Sequence, residues 1–362
     1  MKLVILGAGA SYDSVYQQYD ETLTSKWKPP LGNDIFSIRR NFNDVLKKYP
    51  GAIALRSEIM AYPDIESYFQ NKWDFIQNNF DVLSLMRLIN IQYYLSDLFT
   101  QISVNYSSSG LSNIDVMITM AHEYAVRKKE DVIFITFNYD TLIESAFQRV
   151  LSKSILKIDD YIKGNIKLYK CHGSCNWFKT FNGNRIGYHK DISSKPIYQH
   201  IWEHRFHLWD INSSLGSNIE LYENDLDFVA EDSKSGDTYR LALFPQLLIP
   251  MRTKDEFVLP ENHKNSLGKS LNDVTDILII GWKGTETHFN KFLSDRLSNR
   301  RVAITVVNAG DKSIEKQLMS FNINASYNYY NNMKATQNKQ PGSFSQYIDD
   351  IYNNEFEDFF RQ

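Results

Sequence analysis

Asn138 and Asp140 stand two residues apart, directly after the apolar run Val132-Ile133-Phe134-Ile135-Thr136. In an extended chain, residues at that spacing point to the same side. An amide and a carboxylate aimed at one point can stabilise a developing positive charge without reorganising. The other reading is that Asp140 caps the helix beginning at Thr141-Leu142-Ile143-Glu144. His172 follows a second run, Ile166 to Lys170. A histidine there can act as a general base near neutral pH or satisfy a hydrogen bond in the core, and Gly173 leaves the backbone open beside it. Gly7-Ala8-Gly9-Ala10-Ser11 comes straight off the run Leu3 to Leu6. Glycines at that point allow a tight turn and a close approach of backbone N–H groups to a phosphate at a helix start. Tyr12 occupies the place where a dehydrogenase fingerprint needs its third glycine, so a phosphate cradle fits better than hydride transfer. Gly281 and Trp282 after Ile277 to Ile280, and Asn308 after Val302 to Val307, complete the set. Alone, each is also ordinary turn chemistry.

The elements that must position these groups are short runs of continuous hydrophobicity, the pattern of strands covered on both faces in a parallel sheet. Six are expected, the five just named and Leu243 to Ile249, and most end in Gly, Asn, Asp or His. In open α/β sheets the ligand crevice lies beyond the carboxyl ends of the strands. Between the first and second runs, Asp64 to Phe69, Val82 to Leu98 and Asn113 to Val126 carry apolar residues at helical spacing, so a helical module at about 40–130 is inserted into the first βα unit. A second insertion, 176–240, is rich in aromatic residues and histidine. The remainder, 311–362, is an extension ending in an amphipathic stretch, Phe344 to Phe360, expected to dock on the body or on a partner.

Composition narrows the function classes. The chain has 362 residues, 43% hydrophobic and 23% charged, with 40 basic and 43 acidic residues. That is an ordinary globular composition, without the basic surplus of a protein that coats nucleic acid. With only Cys171 and Cys175 present, a four-cysteine zinc ribbon cannot form. A Cys175–His172 nucleophilic pair is a competing reading. His200, His204 and His207, with Glu203, share helical spacing and would suit a metal, but interleaved Trp202, Phe206 and Trp209 fit an aromatic helix better, and no metal is expected. The start of the chain lacks a signal-peptide pattern, and no run reaches the ~18 apolar residues of a membrane helix. A cytoplasmic protein is the expectation.

Taken in order, Gly7 to Ser11, Asn138-Tyr139-Asp140, His172-Gly173, Gly281 and Asn308 resemble the sirtuin-like NAD-binding family. Phe137 to Glu144 and Leu168 to Trp177 look like its bacterial anti-phage defence branch. The resemblance covers residues 1–310 in patches and implies an α/β, Rossmann-like, mostly parallel sheet flanked by helices. It implies NAD as substrate: Gly7, Ala8, Gly9, Ala10 and Ser11 toward the phosphates, Asn138 and Asp140 at the nicotinamide ribose, His172 as base or ribose contact, and Gly281, Trp282 and Asn308 on the adenosine side. Phe137 stands where deacetylase sirtuins have glutamine, and their zinc ribbon is missing. The implied activity is therefore NAD+ hydrolysis in abortive infection, gated by homo-oligomerisation or by a partner such as a HerA-like ATPase, an Argonaute or another co-encoded sensor. A non-catalytic NAD or ADP-ribose sensor and a protein deacylase are the alternatives.

Overall fold

The computed structural model describes residues 1–14, 26–107, 112–180, 215–222, 229–232, 239–250, 257–297, 300–308, 313–330, 343–354 and 356–361. The histidine-rich segment containing His200, His204 and His207 lies outside them, as does most of the second insertion.

Five of the six apolar runs form one sheet. They are β1 (Lys2–Leu6), β2 (Val132–Thr136), β3 (Ile166–Lys170), β8 (Asp276–Ile280) and β9 (Val302–Val307). β10 (Ala325–Tyr329) closes the sheet, whose order is β10-β9-β8-β1-β2-β3, parallel throughout. Numbered along the chain, that order is 3-2-1-4-5-6, the doubly wound arrangement whose crevice opens where the winding reverses. Here the reversal lies between β1 and β8, paired with Leu6 opposite Ile280.

Period-two alternation divides the core between the two faces of the sheet. Val4, Leu6, Phe134 and Leu168 face one hydrophobic cluster, while Leu3, Ile5, Ile133 and Ile135 face the other. The first cluster is covered by α1 (Ala8–Tyr12), then by α2 (Arg40–Leu46), α3 (Pro50–Ala61), α4 (Ile65–Asn79), α5 (Val82–Ser107) and α6 (Asn113–Lys128), and after β2 by α7 (Leu142–Leu151). Local sequence sets the starts of two of these helices. Asp64 accepts from Ser67 N at 2.7 Å, and Ser112 and Asp115 form a reciprocal capping box. The second cluster is covered by α8 (Glu261–Leu271), α9 (Thr287–Leu297) and α10 (Ser313–Ser320).

Two expectations about strands are corrected. The run at Leu243–Ile249 belongs to β7 (Tyr239–Leu247), which is antiparallel in a second sheet with β4 (Gly173–Thr180), β5 (Glu220–Leu221) and β6 (Val229–Asp232), ordered β5-β4-β7-β6. Continuous hydrophobicity reports burial but does not name the partner strand. Helix α5 covers this sheet, with Tyr93 Oη donating to Leu243 O at 2.7 Å and Ser96 Oγ to Cys175 O at 2.7 Å. β10 falls within 311–362, where only a C-terminal extension is expected. It is an edge strand whose residues alternate between half-buried and exposed, so it carries little apolar signal.

The terminal stretch docks on the body. α11 (Phe344–Tyr352) buries Phe344, Tyr347, Ile348 and Ile351, and its Ser345 bonds Asn113 and the Asp13 carboxylate. Beyond it, Phe359 lies under the Lys2 ammonium, 4.4 Å from the ring centre, and its carbonyl accepts from Lys2 Nζ.

Candidate functional site

The carboxyl ends of β1, β2, β3 and β8 bring most of the singled-out residues together. The loop after β1 and the loop after β8 touch backbone to backbone. Gly7 N donates to Ile280 O at 3.0 Å and Gly9 N to Gly281 O at 3.1 Å. A Cβ on Gly7 would lie 2.4 Å from Gly281 O, and one on Gly281, whose φ is +60°, would lie 2.5 Å from Ala10 N. These glycines are therefore required by the packing of one loop on the other. The two amides expected to face phosphates are instead bonded to protein carbonyls. Ala8 is exposed between them, while Ala10 and Ser11 are buried.

Asn138 reaches across to this loop from the end of β2. Its Nδ2 donates to Gly7 O at 2.9 Å and to Ser11 Oγ at 2.8 Å. A carbonyl oxygen only accepts, so the atom beside Gly7 O must be nitrogen, and Oδ1, the negative end of the amide dipole, faces away from the loop. The Ser11 hydroxyl, which accepts from Asn138, lies near enough to the Asp140 carboxylate to favour its charged form. Asp140 is 3% exposed, and burial pushes its carboxyl above the usual range. The nearby Lys170 charge and the Ser11 bond oppose that shift, and Glu144 adds to it. Asp140 also accepts from Leu142 N at 3.3 Å at the start of α7, whose capping position is Thr141.

His172 lies in the turn between β3 and β4, 7% exposed. Its ring packs against Phe137 with centroids 4.9 Å apart and against Tyr139 at 6.3 Å, and its carbonyl accepts from Leu248 N at 2.9 Å. Gly173 then turns the chain at φ +79°, where a Cβ would meet Gln246 O at 2.0 Å. Tyr139 is tied by its hydroxyl to Leu248 O at 2.7 Å. Asn138 is thus held by the loop after β1, and His172 by Phe137, Tyr139 and the chain just after β7.

Trp282 sits elsewhere than expected. Its ring is 3% exposed, stacked on Phe137 at 5.3 Å and 10°, with Nε1 donating to Glu286 at 2.6 Å. It forms an aromatic floor with Phe137 and Phe289, so the side chain is core rather than crevice lining. Asn308 is half-buried beyond β9, one residue after Val307, whose carbonyl accepts from Gly281 N at 3.1 Å. Cys171 and Cys175 are buried thiols. Burial pushes Cys171 far up and Cys175 up to about 11, which removes the thiolate that a cysteine nucleophile needs. Among the described residues, no His, Cys, Asp or Glu cluster is suited to a metal and no helix is long and apolar enough to cross a membrane.

Sequence reading missed Lys170 and Glu144. Both lie inside motifs already singled out. A lysine closing a strand whose same-face neighbours are Ile166 and Leu168 is the signal that could have found the pair.

No family model matches the chain, and no curated protein matches it in sequence. Solved structures to which it is similar include one concerned with the structural basis of sirtuin substrate affinity, at 12% identity and a TM-score of 0.35, covering 96% of this chain and 92% of that one. A mutant Sir2 homologue in complex with ADP-ribose is similar at 12% identity and a TM-score of 0.40, covering 98% of this chain and 95% of that one.

Proposed function

We propose that this protein hydrolyses NAD+ to nicotinamide and ADP-ribose. The observation that carries the reading is Asn138 bonded across to Gly7 O and Ser11 Oγ, with Asp140 two residues on and His172 just beyond the end of the neighbouring strand β3. Breaking the bond between ribose C1′ and the nicotinamide nitrogen leaves the electron pair on nicotinamide and positive charge on the ribose. The Asn138 Oδ1 dipole and the Asp140 carboxylate are the fixed negative groups suited to that charge. Water then bonds to C1′ and loses a proton to His172, a contribution typically worth ~10²–10⁴-fold. The pyrophosphate would run over the exposed Ala8 and the adenosine toward Gly281 and Asn308.

An ungated hydrolase of this kind would exhaust its own cell's NAD+. The sequence motifs that resemble the anti-phage branch therefore extend the proposal to an abortive-infection effector, triggered by self-assembly or by a co-encoded partner. The buried Asn138 and Asp140 beside His172 favour turnover over passive sensing, because a sensor needs no base.

The test is nicotinamide release from NAD+, measured beside NAD+ binding, for the wild type and Asn138→Ala. Release by the wild type and not by the variant supports the reading. Tight binding without release, in the isolated protein and in cells challenged with phage, identifies a sensor instead.

A further inference from the structure

Behind the Asn138-Tyr139-Asp140 turn lies a buried ion pair that the reaction as described does not use. Lys170 is fully buried. Its Nζ donates to the Asp140 backbone carbonyl and pairs with Glu144 Oε1 at 2.8 Å. Tyr161 Oη donates to the same Glu144 oxygen at 2.9 Å and accepts from Trp177 Nε1 at 3.1 Å. Glu144 Oε2 is buried with no partner.

A buried lysine is costly unless its charge is matched, and so is each buried carboxylate. Here one ammonium pairs with Glu144, holds the Asp140 carbonyl, and lies near enough to the Asp140 carboxyl to oppose its protonation. Without it, Asp140 and Glu144 would be neighbouring like charges in a medium of low dielectric, and one would take up a proton. A protonated Asp140 cannot present negative charge to the crevice. The other groups around Asp140 are the Ser11 hydroxyl from α1, the Cys175 thiol from β4 and, at the turn, the His172 ring packed on Tyr139. None of these supplies a permanent positive charge.

We propose that Lys170 is a positioning residue for the reaction: its ammonium, bonded to Glu144, clamps the Asp140 carbonyl and supplies the counter-charge that keeps the Asp140 carboxylate ionised at the crevice. Its catalytic consequence rests on the glycohydrolase reading; its effect on Asp140 does not.

The experiment follows the Asp140 carboxylate by infrared difference spectroscopy of protein labelled with 13C-aspartate, against Asp140→Asn, over a pH series. The acid limb of nicotinamide release is recorded on the same samples. Lys170→Met is expected to move the Asp140 titration up by about one pH unit or more and to carry the acid limb with it. Glu144→Gln removes the competing carboxylate and moves the titration down, and Lys170→Arg stays near the wild type. A merely structural role would not give shifts of opposite sign. Unmoved titrations, or shifts of the same sign in Lys170→Met and Glu144→Gln, overturn the proposal. If Lys170→Met does not fold, Glu144→Gln alone decides: a titration that fails to fall overturns it. Should the protein release no nicotinamide, the infrared titration still decides the role of Lys170, and only the glycohydrolase reading falls.

Discussion

Ser11 Oγ lies 2.8 Å from Asn138 Nδ2, so the loop leaving β1 is joined to the end of β2 by a side-chain bond as well as by the strand ladder. The same hydroxyl lies near the Asp140 carboxylate and favours its charged form, and its removal separates orientation from charge. In Ser11→Ala, Asn138 keeps its bond to Gly7 O and its orientation, while Asp140 loses a donor to its charged form. A hydrogen bond to a charged group contributes about 1.5–3 kcal/mol. Nicotinamide release is expected to fall about 10- to 100-fold, with NAD+ affinity changed less than about threefold. Calorimetric binding beside steady-state rates checks both.

The contact between the β1 and β8 loops predicts a fold defect at a site residue. Gly281 holds a left-handed φ and has no room for a methyl group. Gly281→Ala is expected to lower stability by about 2 kcal/mol or more, read as a reduced midpoint in urea. A midpoint within error of the wild type would show that the two loops separate easily.

Asp140 is predicted to cost stability at the pH where it serves the site. Its folded carboxyl is held above the ordinary value of an unfolded aspartate, chiefly by burial. The favourable contribution of the protonated form is complete below that value and is lost as pH rises through the folded one. Asp140→Asn is therefore expected to raise the melting temperature at pH 7, with the gain shrinking toward pH 4, while nicotinamide release falls. Melting curves across that range test the sign, and a lower melting temperature at pH 7 would reverse it.

Both thiols are predicted to be inert in the native protein. Cys171 and Cys175 are buried and their ionisation is suppressed, Cys175 to about 11. Iodoacetamide at pH 8 is expected to leave both unmodified by mass spectrometry and to label both in denaturant. Rapid native labelling of either one would reopen a cysteine role.

The terminal segment is predicted to act as a structural clamp. Phe359 is 4% exposed and lies under Lys2 of the central strand. Phe359→Ala is expected to destabilise the protein by about 3 kcal/mol, measured by chemical denaturation. A negligible loss would mean that the segment leaves the body readily and is available to a partner.

The individual elements were legible in the sequence because their causes are local. Continuous apolar runs mark five of the six parallel strands, helical spacing marks α4, α5 and α6, and strand-end placement marks Asn138, Asp140 and His172. Which strand pairs with which is set by long-range contacts that no local pattern carries. β7 therefore reads like a strand of the main sheet but pairs with β4, and β10, half-exposed at an edge, hardly reads as a strand. The same limit applies at the site. The sequence contains Gly7, Gly9 and Gly281, but only tertiary packing shows that they make room for each other and that their amides are already bonded. It contains Trp282, whose ring the structure turns into the core against Phe137. It contains Lys170 and Glu144, 26 residues apart, and only the placement of β3 beside α7 joins them behind Asp140. Residue type set the chemistry available at each strand end. Burial and the partner across the fold decided which groups carry charge and which only fill space.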